Sequence, residues 1–255
     1  MNLSKYQQKN QLLLSKLPDF IAEYYLAKSA IPLSPATLYQ YMGEYLRFFQ
    51  WLIDTGISHS KFPKEIKLNE LANIKKQDME LYKSFLLNRG KATSSHPRGT
   101  LSPQTVNRSL NALSALYKYL TEETENQHGE PYFYRNVMKK VPLVRDSETF
   151  AARAKNIKAK LLLGDADQKF VQFVYDGFGE KVANNRRMYT LYQRDRQRDT
   201  AIVALMLGTG IRVAELTGMN LKDLNLKNKS ISVIRKGGKK DIVPVAGWVL
   251  PYLTP

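Results

Sequence analysis

Two basic residues in the last quarter of the sequence, Arg212 and Lys236, have side chains that could act on a phosphate group. Arg212 interrupts the apolar stretch ALMLGTGIRVAELTGMNLKDL two residues after a Gly-Thr-Gly break, and Lys236 lies in a later turn rich in Gly and Lys. A guanidinium is planar and permanently charged and can hold two phosphate oxygens, whereas a lysine ammonium can donate a proton. Together the two residues suit phosphoryl chemistry.

The position of Arg212 allows two interpretations. If the glycines end one helix and the next begins at once, Arg212 lies near a helix N terminus, where backbone N–H groups point outward and form an anion site. Alternatively, Arg212 pairs with Glu215 one turn later and Lys236 is an exposed turn residue. The spacing alone favours neither interpretation.

A dinucleotide site is a remote alternative for the same stretch, with AIVALML as a strand and GTGIRV as a glycine-rich turn. Val213 stands where the fingerprint needs a small residue, and the second strand ends in Arg235 and Lys236 where an acid is needed for the ribose hydroxyl. A nicotinamide-dinucleotide-binding enzyme therefore stays only as a remote possibility.

The composition limits the possible partners. The 255 residues carry a net charge of +16, which attracts phosphate backbones, anionic lipid or an acidic protein, although it also fits a basic surface without a ligand. No stretch approaches the roughly 18 apolar residues of a membrane helix, so we expect a cytoplasmic protein without a membrane partner. There is no cysteine, and the three histidines are far apart in the sequence. We expect neither a metal nor a cofactor.

The pattern of apolar residues predicts a mainly α fold. Helical spacing recurs in LPDFIAEYYLAKS, SPATLYQYMGEYLRFFQWLIDTG, KKQDMELYKSFLLNRG and SPQTVNRSLNALSALYKYLTEE. Ser34 can cap the second of these helices, with Pro35 at its first position and Gly56 past its end. The turn-rich GKATSSHPRGTL is predicted to be an exposed loop. The aromatic stripes favour core packing over base stacking, and NRRMYTLYQRDRQRD favours a solvated helical face.

The second part of the sequence predicts a smaller domain with a β-hairpin. We place an N-terminal helical domain at 1–145, a linker at 146–160 and a second domain at 161–255. Helices are expected at about 165–178, at about 186–207 and from Val213 to Met219. SISVIRKGGKKDIVPV alternates on both sides of a Gly-Gly turn, which predicts a hairpin with Ile231, Val233, Ile242, Val243 and Val245 flanking that turn.

Two segments of the second domain resemble the first catalytic box and the following hairpin of tyrosine recombinases, the phage integrase and Xer group. They are TGIRVAEL and LKDLNLKNKSISVIRKGGKKDIVPV. Three earlier segments are similar to the core-binding domain of the XerS-type branch of that family, which resolves chromosome dimers with a single recombinase. They are PDFIAEYYLAKSAIPLSPATLYQYMGEYLRFFQWLIDTG, SLNALSALYKYLTEETEN and GEPYFYRNVMKK. The resemblance covers nearly all of the sequence. It implies a helical, SAM-like core-binding bundle followed by a catalytic domain with a small β-hairpin.

The resemblance also implies a chemistry. In that family a tyrosine attacks the scissile phosphate of duplex DNA to give a 3′-phosphotyrosine, two arginines and a histidine stabilise the charge, and a hairpin lysine protonates the leaving oxygen. Arg212 matches the first arginine, Glu215 the acid three residues later, and Lys236 the lysine. Implied partners are double-stranded DNA with a dif-like site, further copies forming a tetramer, and an FtsK-type translocase. Candidate DNA-binding residues are Arg47, Arg108, Lys118, Lys239 and Lys240.

The sequence departs from the family pattern after the hairpin. The family's histidine, second arginine and nucleophilic tyrosine all follow it, yet His59, His96 and His128 precede Arg212, and no arginine follows Arg235. Tyr252, in GWVLPYLTP, resembles the start of the next family helix and not the nucleophile's surroundings. We therefore expect a catalytic domain that is truncated, has no nucleophile and is catalytically inactive as written, acting at most as a DNA-binding remnant.

Overall fold

The computed structural model describes residues 3–31, 33–90, 100–145 and 148–254. The chain divides into two compact units, Met1–Ser147 (unit 1) and Glu148–Pro255 (unit 2). Both units are mainly helical, as the sequence predicts, and unit 2 adds a small antiparallel sheet. Across the described ranges, no helix has the length and apolar character needed to cross a bilayer.

The described residues of unit 1 form a bundle of six helices. They are α1 (Leu3–Leu14), α2 (Asp19–Ser29), α3 (Pro35–Asp54), α4 (Leu68–Asn73), α5 (Lys76–Asn88) and α6 (Pro103–Glu122), with 3₁₀ turns at Pro63–Glu65 and Val137–Lys140. The two longest helices begin as predicted. The Ser34 hydroxyl accepts from the Thr37 N–H at 3.1 Å, and the Ser102 hydroxyl accepts from the Thr105 N–H at 3.3 Å. Each Ser-Pro pair therefore fixes a helix start.

The core of unit 1 is aromatic and lies between α3 and its neighbours. Tyr45, Phe48 and Phe49 of α3 are fully buried in one continuous apolar cluster that includes residues of α2, α5 and α6. The buried Tyr45 hydroxyl donates to the Ala112 carbonyl at 3.0 Å. The prediction that these aromatic stripes pack in the core, and do not stack on bases, is therefore confirmed for α3.

Unit 1 differs from the sequence predictions in two helices. The helices α1 and α4 were not predicted, and α1 packs along α3. Residues 91–99, which make up most of the predicted loop GKATSSHPRGTL, lie outside the described residues, and His96 is among them.

Unit 2 contains five helices and three strands within residues 148–254. They are α7 (Phe150–Lys158), α8 (Ala166–Gln172), α9 (Phe178–Val182), α10 (Arg186–Thr209), α11 (Val213–Thr217), β1 (Leu224–Asn225), β2 (Ser230–Ile234) and β3 (Lys240–Pro244), with 3₁₀ turns at Leu221–Asp223 and Gly247–Tyr252. Helix α7 occupies most of the predicted linker 146–160, of which residues 146–147 lie outside the described ranges. Its N terminus is capped by the Thr149 hydroxyl, which accepts from the Ala152 N–H at 3.2 Å.

The single helix predicted at about 165–178 is two helices joined by a π-helical turn, Phe173–Gly177. Tyr192 of α10 packs against this segment, and its hydroxyl donates to the Tyr175 carbonyl. A side chain at Gly179 would put its Cβ 2.5 Å from the Tyr192 ring. The π-helical turn therefore lies where α10 packs closely against this segment, a contact that no local sequence pattern encodes.

The sheet has the strand order β1-β2-β3, with Ile231 opposite Val243 and Val233 opposite Asp241. Ile231, Val233 and Val243 are buried on its inner face, whereas Ile242, predicted among the apolar flanks, is 71% exposed on the outer face. The turn is closed by Gly237 and Gly238, whose φ angles of 88° and 79° lie in the left-handed region that glycine tolerates.

Candidate functional site

The Gly-Thr-Gly break predicted from the sequence ends α10 and begins α11. Gly210 has a left-handed φ of 66°, and its N–H donates to the Met206 carbonyl at 2.9 Å. The next residue, Ile211, is buried in the core of unit 2, so the chain is anchored there before it turns outward at Arg212. Arg212 has extended backbone angles and directly precedes α11. Local glycine geometry and one buried side chain thus set the position of this arginine.

Glu215 is the centre of the site. Its side chain is only 4% exposed. One carboxylate oxygen, Oε2, accepts from the Arg212 N–H at 3.0 Å and from Arg235 Nη1 at 2.8 Å. The other, Oε1, accepts from Arg212 Nη1 at 2.9 Å. The Arg212 backbone N–H, followed by the two guanidinium groups, holds the pKa of Glu215 below its ordinary value although burial alone would raise it. The carboxylate is therefore ionised at neutral pH and joins two arginines.

Arg235 also binds a second carboxylate. Its Nε donates to Asp241 Oδ2 at 2.9 Å, and the hydrogen bond to Asp241 raises the pKa of the Arg235 guanidinium. Because Arg235 is the residue after β2 and Asp241 lies in β3, this pair spans the hairpin just below its turn. Sequence reasoning assigned Arg235 no such role. The available signal was a basic and an acidic residue on the two sides of a Gly-Gly turn.

The structure therefore contains the predicted pair of Arg212 and Glu215, yet it does not bury the arginine. The Arg212 side chain is 70% exposed, so most of its guanidinium surface faces solvent. The anion site expected at a helix N terminus gains no support, because α11 has five residues and the Arg212 N–H is taken by Glu215.

Lys236 is exposed in the hairpin turn and directly follows Arg235. Lys239 and Lys240 are also exposed on the returning side of the turn, and Lys240 lies opposite Ile234 in the sheet register. The structure thus brings the three lysines to one end of the hairpin. It connects them to Arg212 through Arg235 and Glu215.

A cleft of about 870 Å³ lies beside this cluster, between α11 and the outer face of the sheet. Its lining includes Glu215, Met219, Ile234, Lys240 and Asp241. Neither Arg212 nor Lys236 lines it. That the two groups face one phosphate between them accordingly stays a prediction.

The candidate DNA-binding residues of unit 1 lie on its two long helices. Arg47 of α3 is 30% exposed and paired with Glu44. Arg108 and Lys118 are exposed on α6, and Lys118 lies 4.0 Å from Glu122. Residues 108 and 118 are about 15 Å apart along this helix.

The remote dinucleotide interpretation is wrong. The stretch AIVALML belongs to α10 and is helical, whereas a dinucleotide fold requires a strand before the glycine-rich turn. Tyr252 lies in the 3₁₀ turn Gly247–Tyr252, half-buried, with its hydroxyl 3.4 Å from Gln172 Oε1. Within the described ranges, no group of three or more His, Cys, Asp or Glu side chains could hold a metal ion.

Comparisons with known proteins agree on one family. The model of the phage integrase family matches residues 182–255, which include α10, α11 and the sheet. The chain is 47% identical over 241 residues to the tyrosine recombinase XerS of Streptococcus sanguinis (strain SK36), a match over 94% of this chain and 67% of that protein. It is 46% identical over 252 residues to the tyrosine recombinase XerS of Streptococcus uberis (strain ATCC BAA-854 / 0140J), over 96% of this chain and 70% of that protein.

A solved structure shares the fold. It is the XerH site-specific recombinase bound to a palindromic difH substrate in a post-cleavage complex, which superposes with a TM-score of 0.52 at 18% sequence identity. The match covers 86% of this chain and 50% of that chain. The similarity therefore extends over both units of the fold.

Proposed function

Because the chain belongs to the tyrosine recombinase family, we propose that it acts on duplex DNA in site-specific recombination at a dif-like site, with Arg212 and Lys236 at the scissile phosphate. The proposal rests on the surroundings of Arg212. Its guanidinium is hydrogen-bonded to the buried Glu215 carboxylate, and its side chain is nevertheless 70% exposed. A fixed, solvent-facing cation is the arrangement that stabilises charge developing on a phosphate.

Lys236 is given the role of general acid. It is exposed in a turn, next to Arg235 and close in sequence to two further lysines. An exposed ammonium on a turn can reach a phosphate oxygen and donate a proton to it. The leaving 5′ oxygen of the cut strand needs such a proton.

We further propose that a polypeptide of residues 1–255 alone binds DNA without cutting it. Residues 237–255 contain neither histidine nor arginine, so within residues 1–255 nothing after the hairpin supplies the histidine and second arginine that the family pattern implies. Tyr252, within hydrogen-bonding distance of Gln172 in unit 2, is not given the role of nucleophile. Family likeness also supports assembly as a tetramer on two DNA sites in the cytoplasm and contact with an FtsK-type translocase.

The test measures binding of the 255-residue chain to a duplex with a dif-like sequence over a range of salt concentrations. Lys236→Ala is expected to weaken binding several-fold and to lower the slope of log affinity against log salt by about one. Lys227→Ala is the matched control, because Lys227 is exposed between β1 and β2, at the other end of β2. Equal effects of the two substitutions would contradict the role of Lys236.

A nicked duplex that traps covalent intermediates tests the absence of cleavage. We expect no protein–DNA adduct on a denaturing gel. An adduct that disappears in Tyr252→Phe would overturn this part of the proposal.

A further inference from the structure

Arg212 and the hairpin turn are joined by a continuous chain of charged side chains. Arg212 and Arg235 both donate to Glu215, and Arg235 also donates to Asp241. The contacts measure 2.9, 2.8 and 2.9 Å, so each is a direct hydrogen-bonded ion pair. The chain begins at α11, crosses to the end of β2 and finishes on β3.

Arg235 is also bonded to the turn itself. Its N–H donates to the Lys239 carbonyl at 2.7 Å, and its carbonyl accepts from the Gly238 N–H at 3.0 Å. Lys236 is therefore the first residue of a turn whose base is fixed by Arg235. The backbone of Arg235 makes the hydrogen bonds that close the turn, and its side chain makes the bond to Asp241. Beyond Lys236 come two glycines, which supply little stiffness of their own.

The charges explain why such a connection is needed. Arg212, Arg235 and Lys236 repel one another, as do the further cations Lys239 and Lys240. Glu215 and Asp241 are the carboxylates placed among them. A buried carboxylate that serves two arginines loses much if one is removed, because its charge is then only partly compensated.

We infer that Arg235 is a positioning residue, which together with Glu215 and Asp241 fixes the Lys236 turn relative to Arg212. This inference rests on the proposed function, since it concerns the phosphate that Arg212 and Lys236 share. Arg235 touches no DNA in this role. It acts through Lys236.

A purely structural role for Arg235 predicts a different result, so a double-mutant cycle separates the two. DNA affinity of the 255-residue chain is measured for Arg235→Gln, for Lys236→Ala and for the two combined. We expect Arg235→Gln to weaken binding by about threefold or more in the presence of Lys236, and by less than about twofold in its absence. Lys239→Ala, which removes a nearby cation outside the ion-pair chain, should instead combine additively with Lys236→Ala.

Two further variants keep the test decisive if Arg235→Gln folds poorly. Asp241→Asn removes only the outer partner, whose side chain is 48% exposed, and it should show the same dependence on Lys236 with a smaller effect. Arg235→Lys keeps one ion pair and should restore part of the affinity. Thermal unfolding of each variant shows whether it is folded.

The outcomes distinguish the two proposals. If Lys236→Ala and Lys227→Ala have the same effect, the proposed function fails. If Lys236→Ala weakens binding more, but Arg235→Gln and Asp241→Asn are additive with it, the proposed function stands and the positioning role of Arg235 is wrong.

Discussion

The two units of the molecule are built in opposite ways. Unit 1 packs fully buried aromatic side chains such as Tyr45, Phe48 and Phe49 into one continuous cluster. The buried cluster of unit 2 is aliphatic and includes Leu205 and Val249, and the aromatic side chains packed against it are only partly buried. Large aromatic residues bury more apolar surface per residue. Unit 1 is therefore stabilised chiefly by its core, and unit 2 depends more on individual close contacts and ion pairs.

This difference affects the candidate site. The candidate DNA-binding residues of unit 1 lie on its surface and take no part in its buried core. In unit 2, the carboxylate that holds Arg212 is itself buried and also binds the hairpin through Arg235. We expect substitutions in the core of unit 1 to change its stability alone. Substitutions around Glu215 should change stability and the site together.

The largest expected effect is in the core of unit 1. Phe49→Ala should lower the free energy of unfolding of unit 1 by about 3–5 kcal/mol, because it leaves a cavity in a packed cluster. The chain has two tryptophans, Trp51 in unit 1 and Trp248 in unit 2. Urea unfolding in a Trp248→Phe background therefore reports unit 1, and in a Trp51→Phe background it reports unit 2.

The matched control is Phe62→Ala, since Phe62 is 64% exposed. It should change the stability of unit 1 by under about 1 kcal/mol. The transition followed by Trp248 should shift in neither variant. An equal shift of both transitions in Phe49→Ala would mean that the units unfold as one, against the comparison made above.

Alanine substitutions at two helical glycines should change the free energy of unfolding by intermediate amounts, with opposite signs in the two units. A Cβ at Gly43 of α3 would meet nothing within 4 Å, whereas a Cβ at Gly208 of α10 would lie 2.1 Å from Val249 Cγ2. Gly43→Ala should stabilise unit 1 by about 0.5–1 kcal/mol. Gly208→Ala should destabilise unit 2 by about 1–3 kcal/mol through overpacking.

The same unfolding experiment checks this contact. In the double variant Gly208→Ala/Val249→Ala the clashing methyl is gone, so the loss should be smaller than the sum of the two single losses. Additive losses, or a gain in stability from Gly208→Ala alone, would show that α10 and the turn Gly247–Tyr252 have room to separate.

Local chemistry predicted how α3 begins, and it offered the ion pair of Arg212 with Glu215 as one of two interpretations. Ser34 and Ser102 cap the helices that begin after them, and Glu215 lies one turn from Arg212. In each case the partner is three residues away. Residues three apart lie about one helical turn from each other, so such pairs are visible in the sequence without any contact between distant residues.

The features missed depend on contacts between distant residues. Helix α1 was not predicted because its sequence is largely polar, and its contacts with α3 include Asn10 Nδ2 donating to the Pro35 carbonyl at 3.1 Å. The role of Arg235 depends on the hairpin register, which turns Ile242 outward and sets Asp241 beside Arg235. A shift of one residue would have reversed both faces of the strand.

The smallest expected effect is on pH dependence. The pKa of Glu215 in the folded chain lies below its ordinary value of 4.5. Its ion pairs therefore contribute fully to the stability of unit 2 above about pH 4.5 and are lost as the pH falls through the folded value. Glu215→Gln should be less stable than the unsubstituted chain at neutral pH, and this difference, measured by Trp248 fluorescence, should shrink on acidification.

Glu70 provides the matched control in unit 1. Burial alone would raise the pKa of the Glu70 carboxyl. Hydrogen bonds from the Ser58 hydroxyl and the Lys67 N–H lower this pKa by more, so it lies below its ordinary value of 4.5. Glu70→Gln should therefore show the same direction of pH dependence, in the Trp51 signal only. If the stability difference between Glu215→Gln and the unsubstituted chain did not depend on pH, Glu215 would contribute through its shape and not through its charge. That result would contradict the electrostatic connection between Arg212 and the hairpin.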